Sequence, residues 1–204
     1  MNNVRSGRPT VGVLALQGDF AAHRRVLEER LGVAVRDVRR PADLAEADSL
    51  ILPGGESTTM GMLLDRIGLV EPIRERARAG MPVYGTCAGM ILMAAGIEDR
   101  PNQPTLGLLD ITVARNAFGR QVDSFEAEIP ISGERPRQIR GVFIRAPYVT
   151  RTGPGVETIA TFQDKVVGVR KGHLLATSFH PELTDSDDLH ALFVEMTAAS
   201  QEKR

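Results

Sequence analysis

The chain has 204 residues, with 25 Lys plus Arg against 26 Asp plus Glu and a formal net charge of −1, so it carries no electrostatic footprint for nucleic acid or an anionic membrane. Hydrophobic residues at 42% and charged residues at 25% are globular proportions, which argues against wholesale disorder or a fibrous repeat. One cysteine excludes an internal disulfide and a multi-thiolate metal site, no stretch approaches the roughly 18 apolar residues of a membrane span, and "MNNVRSGRPT" lacks the apolar core of a signal peptide; a cytoplasmic location is the expectation.

In chain order, residues 1–9 read as a disordered extension. The run "VGVLAL" (11–16) predicts a strand, followed by a helical pattern over 20–31, strands "VAVRDV" (33–38) and "SLILP" (49–53), helices over 58–66 and 70–79, the strand "PVYGT" (82–86) and a helix in "AGMILMAAG" (88–96). Alternation of this kind calls for a mostly parallel sheet covered by helices on both faces. After residue 105 strands dominate: "GLLDITVA" (107–114), "DSFEAEIPI" (123–131), "GVFIRAP" (141–147), "ETIATF" (157–162), "KVVGVRKG" (165–172) and "LLATSF" (174–179), closed by a helix from about 185 to 198. The apolar alternation of Phe125, Ala127 and Ile129 with Glu126 and Glu128 is that of a half-exposed strand. The basic groups Arg36/Arg39/Arg40 and Arg135/Arg137/Arg140 are too short for a binding patch and read as solvated faces. The expectation is a single-domain α/β three-layer sandwich over residues 10–199, with an antiparallel extension in its second half and a frayed tail over 200–204.

Ligands of open α/β sheets bind beyond the carboxyl ends of the strands, which here are followed by "QGD" (17–19), "GGES" (54–57), "TCAG" (86–89) and "HPEL" (180–183). "GTCAG" has the G-x-C-x-G form of a nucleophile elbow, a strained strand-to-helix turn that lifts a reactive atom above the sheet. Gly85 and Gly89 would be required because a side chain at either position would collide with the neighbouring strand or helix. A lone free cysteine is otherwise most simply a small buried hydrophobe. Of the four histidines, His23 and His190 sit in helical patterns and read as surface or core-edge residues, and His173 falls in a turn. His180 precedes Pro181, which biases it toward extended backbone, so that Glu182 lies on the same side and can fix its tautomer. Cys87, His180 and Glu182 are thus a candidate triad, although "HPE" alone also fits a helix start with proline in its first turn. "PGGES" allows close approach of backbone N–H groups, and a helix beginning near Ser57 or Thr58 would add its own. Gly54, Gly55 and the N–H of Ala88 are the candidate oxyanion hole; the competing reading, a phosphate loop, lacks the G-K-[ST] ending.

"GTCAG", "FHPE" and "PGGE" resemble the class I, triad-type glutamine amidotransferases. "LALQGDF", "LPGGESTTM", "YGTCAGM", "RNAFGRQVDSFE", "GVFIRAP" and "SFHPELT", spread over about 11–184, are similar to the glutaminase subunits of pyridoxal 5′-phosphate synthase. The resemblance implies Cys87 as nucleophile, His180 as general base and then acid, and Glu182 as its orienter, with L-glutamine held by Gly55, Glu56, Ser57, Arg115, Ile144 and Arg145. It further implies hydrolysis of glutamine to glutamate and ammonia, and a synthase partner, a (β/α)₈ barrel assembled as a dodecamer with one glutaminase per synthase subunit. That partner would join the ammonia to a pentose phosphate and a triose phosphate. Pyridoxal phosphate would be the product of the complex; no cofactor and no metal are implied for this chain. A free glutaminase would waste glutamine, so the Gly54–Gly55 loop is expected to be misaligned until docking through the "LQGDF" region corrects it. A γ-glutamyl peptidase using the same triad, or a non-enzymatic regulatory subunit with a structural Cys87, are the other readings left open.

Overall fold

Among the described residues, short apolar and β-branched runs form twelve strands: β1 (Thr10–Leu14), β2 (Ala34–Val38), β3 (Ser49–Leu52), β4 (Val83–Thr86), β5 (Ala94–Ile97), β6 (Leu109–Ala114), β7 (Ser124–Ile131), β8 (Arg137–Ile144), β9 (Tyr148–Thr152), β10 (Glu157–Phe162), β11 (Lys165–Lys171) and β12 (Leu174–Thr177). Between and after them lie α1 (Phe20–Arg25, continued by a π-helical turn Val26–Arg30), α2 (Pro41–Ala45), α3 (Ser57–Arg66), α4 (Val70–Arg78), α5 (Ala88–Met93) and α6 (Asp188–Gln201). The computed structural model describes residues 9–115, 124–133 and 137–202; residues 1–8 of the predicted extension 1–9, the centre of "RNAFGRQVDSFE", Arg135 of the second basic group and residues 203–204 lie outside these.

The sheet runs β2-β1-β3-β4-β12-β11-β10-β7-β8, with β5, β6 and β9 forming a branch that rejoins at β11. From β2 to β12 every neighbour is parallel; from β12 outward the pairing turns antiparallel. This is the single α/β domain expected, with its parallel part and antiparallel extension. Two cores explain why the central parallel strands β3, β4 and β12 are largely apolar. Leu50 and Leu52 of β3, Val83 of β4 and Ala176 of β12 face α2 to α5 through Leu44, Met60, Leu64, Ile73 and the apolar run of α5. The alternate residues Ile51, Tyr84 and Leu175 face Leu27 after α1 and Leu189, Phe193 and Met196 of α6. A strand buried on both faces loses the polar alternation of an exposed one, whereas β7 keeps it, with Glu126 of that strand paired to Arg140 of β8.

Four elements differ from expectation. The helix predicted through residue 96 stops at Met93, because Ala94 turns extended (ψ 148°) and enters β5, where it pairs with β6. The short helix α2 starts with Pro41 at its first position, a conformation proline favours, and β9 follows the sharp break at Arg145. At the end of the chain α6 reaches Gln201, two residues into the predicted tail. No helix among the described residues is long and apolar enough to cross a membrane.

Candidate active site

Strand order brings the four predicted loops to one edge. Thr86 of β4 is registered against Thr177 of β12, and Leu52 of β3 against Gly85 of β4. The residues following these strands, Gly54, Cys87 and His180, therefore converge by sheet geometry alone. The N–H of Cys87 donates to the Thr177 carbonyl at 2.8 Å, and that of His180 to the Val142 carbonyl at 2.8 Å.

Cys87 has φ 48° and ψ −103°, backbone that a non-glycine residue adopts only when its surroundings impose it. The imposition is steric. A Cβ on Gly85 would lie 2.5 Å from the Gly89 carbonyl carbon, and one on Gly89 would lie 2.1 Å from the Leu52 oxygen of β3. Strand, elbow and α5 pack backbone against backbone, as the sequence reading required. Cys87 is 7% exposed, and its sulfur points toward the Ile144 carbonyl at 3.9 Å, where β8 ends and Arg145 takes φ 44°.

On the other side of the site, His180 Nδ1 and Glu182 Oε1 are 2.7 Å apart. They meet through a turn of 3₁₀ helix over Pro181–Leu183, not through the extended chain predicted, so "HPE" is both the helix start and the imidazole–carboxylate pair. Burial alone would push the His180 pKa down; the hydrogen bonds and charges of Cys87 and Glu182 outweigh it and hold the ring at about 10. Burial would likewise favour the neutral form of Glu182, but the imidazoles of His23 and His180 keep its carboxyl well below the usual range.

The glycine loop is fixed by the turn after β1. The N–H of Asp19 donates to the Gly54 carbonyl at 3.2 Å, and the Gln17 Oε1 accepts from the N–H of Glu56 at 2.8 Å. In a planar trans peptide the N–H of Gly55 points opposite to the Gly54 carbonyl, so Gln17 to Asp19 set the direction of that donor. Gly54 itself lies against His180: a Cβ there would sit 2.1 Å from the ring carbon Cε1. The first N–H groups of α3 are not free as expected. Glu56 caps the helix, accepting from Thr58 N at 3.2 Å and Thr59 N at 2.7 Å, bonds that outweigh burial and lower its pKa to about 2.

Ser57, nearly fully buried, and Arg115, just beyond β6, are joined by a residue that motif reading passed over. Gln103 Nε2 donates to Ser57 Oγ at 2.9 Å, and its Oε1 accepts from Arg115 Nη1 at 3.0 Å and from Thr58 Oγ1 at 3.1 Å. Gly54, His180 and Glu182 thus meet at the strand ends, Ile144 lies at the Cys87 sulfur, and Ser57 and Arg115 are joined through Gln103; Gly55 and Glu56 continue the Gly54 loop, and Ala88 and Arg145 directly follow Cys87 and Ile144 in the chain. His23 and His190 are a correction. Both are fully buried, because the face of α1 and α6 that packs on the sheet carries them directly behind the carboxylate. No local pattern marks them, since a histidine in an amphipathic helix looks alike on either face.

The glutamine amidotransferase family model named SNO matches residues 13–199. A pyridoxal 5′-phosphate synthase subunit PdxT of Acidothermus cellulolyticus is 55% identical over 202 residues, covering 96% of this chain and 97% of that protein. The PdxT subunit of Streptomyces griseus is 54% identical over 195 residues, covering 95% and 98%. A glutamine amidotransferase crystal structure superposes with TM-score 0.88 at 48% identity over 92% of this chain and 98% of that one. A putative GMP synthase subunit of Thermoplasma acidophilum, 18% identical with TM-score 0.69 over 97% and 98%, shares the fold. The chain belongs to the SNO glutamine amidotransferase family.

Proposed function

We propose that this chain is the glutaminase subunit of a pyridoxal 5′-phosphate synthase, hydrolysing L-glutamine to L-glutamate and ammonia and passing the ammonia to a synthase subunit. The observation that carries the reading is the imidazole of His180 set between the Cys87 thiol and the buried Glu182 carboxylate, with the thiol on a strained elbow. An imidazole held at about 10 is protonated at neutral pH, which suits a resting pair of thiolate and imidazolium. The thiolate attacks the side-chain amide carbon of glutamine, and the N–H groups of Gly55 and Ala88 receive the oxyanion. As the C–N bond breaks, His180 gives its proton to the departing nitrogen, which leaves as ammonia. The neutral imidazole then takes a proton from water, the hydroxide so formed attacks the γ-glutamyl thioester, and glutamate departs as thiolate and imidazolium are restored. Glu56, Ser57, Arg115, Ile144 and Arg145 surround the position for the amino-acid end of the substrate, where a guanidinium matches a carboxylate.

The partner supplies the reason for control. Gln17 and Asp19 hold the glycine loop, so contact of a synthase barrel with this turn is a direct route to re-aiming the Gly54–Gly55 peptide; a dodecameric synthase carrying one glutaminase per subunit is the assembly we infer. The test is ammonia release from free glutamine, with and without the synthase subunit, for wild type and Cys87→Ala. Activity that needs both Cys87 and the synthase is the expected result. Equal rates with and without the synthase would defeat the docking control, and cleavage of γ-glutamyl peptides without it would favour a peptidase.

A further inference from the structure

Behind Glu182 lies a buried chain of imidazoles that the acyl-transfer steps do not use. His23, in α1, places Nε2 at 3.3 Å from Glu182 Oε1 and 3.2 Å from Thr86 Oγ1. Its Nδ1 is 2.9 Å from Nε2 of His190, in α6. Glu182 Oε1 is shared between His23 and His180, and Oε2 has no hydrogen-bond partner among the described residues. The carboxylate is therefore held by two imidazoles through one oxygen, and only His180 faces the reacting sulfur.

The proton positions follow from what each nitrogen meets. His190 Nδ1 is buried with no partner among the described residues. A buried unpaired N–H is rarer and costlier than an unpaired lone pair, so His190 carries its proton on Nε2 and donates it to His23 Nδ1. That nitrogen is then an acceptor, and the proton of a neutral His23 resides on Nε2, the atom that faces both Thr86 Oγ1 and Glu182 Oε1. We propose that His23 is a positioning residue of the glutaminase site: its Nε2–H, kept on that nitrogen by His190, holds the Glu182 carboxylate where it orients His180. The inference rests on the reading of the site as a glutaminase. The other ionisable groups facing this chain are Tyr84 from β4, held by Thr177 at 3.0 Å, Cys87 directly after that strand, and Arg30, whose charge acts on His190 from the π-helical turn. None donates to Glu182. A donor at a carboxylate stabilises its charged form, so without His23 the Glu182 carboxylate becomes more basic and attracts the proton of His180 more strongly, while losing a contact that fixes its own position.

Three measurements on the full-length protein decide the matter: glutaminase kinetics with the synthase subunit, iodoacetamide alkylation of Cys87 against pH, and nitrogen-15 NMR of the histidines in the wild type. In His23→Leu, kcat should fall about tenfold with KM within about twofold, and the alkaline limb of the alkylation profile, which reports deprotonation of His180, should move up by about one pH unit. His23→Gln, which can present an amide N–H to Glu182, should recover kcat to within about threefold of wild type. NMR should find His23 and His190 neutral with the proton on Nε2. A merely structural histidine would instead leave the pH profile of His23→Leu unmoved and make Gln no better than Leu; either result, or a proton on Nδ1 of His190, overturns the proposal. Should His23→Leu not fold, His23→Gln and the wild-type spectra still decide it. Should the wild type lack glutaminase activity, the functional reading fails, while alkylation and NMR still test the hydrogen-bonded chain.

Discussion

At the end of β4, Cys87 is bent to φ 48° and wedged by two glycines against neighbouring backbone, whereas at the end of β12, His180 keeps an ordinary negative φ of −106° and is held by buried side-chain hydrogen bonds. The first side of the site is a packing problem and the second an electrostatic one. Packing of backbone on backbone tolerates no added atom, and its signature is local: a glycine on each side of one residue. A hydrogen-bonded chain depends on partners from α1, α6 and a 3₁₀ turn, far apart in sequence. Substitutions on the two sides should accordingly fail in different ways, one through folding and the other through chemistry.

The largest chemical effect is expected on the histidine side. Glu182→Gln keeps the volume but offers His180 an amide that can stabilise the wrong tautomer and cannot support an imidazolium; by analogy with the aspartate of serine-protease triads, kcat should drop by about three to four orders of magnitude. The chain should still fold, with circular dichroism and gel filtration as in wild type. On the cysteine side, Gly89→Ala drives a Cβ to 2.1 Å from the Leu52 oxygen, inside the sheet, where nothing flexible can yield. Overpacking of that kind should cost about 3 kcal/mol of unfolding free energy, read by urea titration, and activity should fall with it. A substitution at Gly54 sharpens the contrast, because there the added carbon meets a side chain, the ring of His180 at 2.1 Å. Gly54→Ala should lower kcat by about a hundredfold by displacing the imidazole on the order of 1 Å, while the urea midpoint changes little. Equal losses of stability in Gly54→Ala and Gly89→Ala would erase the distinction between the two sides.

The same distinction decides what could be read in the sequence. "GTCAG" announced its elbow because the constraint is imposed on, and relieved by, adjacent residues. The parallel half of the sheet was legible for a similar reason: runs such as "LIL" (50–52) are apolar at every position because both faces are covered. The boundary at Ala94 was not legible, since "AGMILMAAG" has helix-forming composition and only pairing with β6 draws its end into a strand. Gln103 carried no motif; its role comes from meeting Ser57 and Arg115, residues that are 46 and 12 positions away. His23 and His190 are 167 positions apart and 2.9 Å from each other, a proximity that no local periodicity encodes.

The smallest expected effect isolates that hidden pair. Burial holds His190 at about 3 against an ordinary value of 6.5. Between those two values the unfolded chain binds a proton at this residue that the folded chain refuses, so stability rises with pH across the window and is lost as pH falls from 6.5, at roughly 1 kcal/mol per pH unit. Glu182, whose folded pKa is depressed from 4.5, contributes stability that is present above 4.5 and lost only below it. The interval from about pH 6.5 down to about 4.5 is therefore where His190 acts before this carboxylate does. His190→Gln removes the titrating ring and keeps an amide N–H for His23. Its unfolding free energy, measured by urea titration between pH 6.5 and 4.5, should change less steeply than that of wild type, by roughly 1 kcal/mol per pH unit. The slope is the informative quantity, because any cost of the substitution itself offsets the whole curve without tilting it. Parallel curves for the two proteins would mean that His190 already carries its proton in the folded chain, and that the buried imidazoles are held by something other than the neutral donors assigned to them.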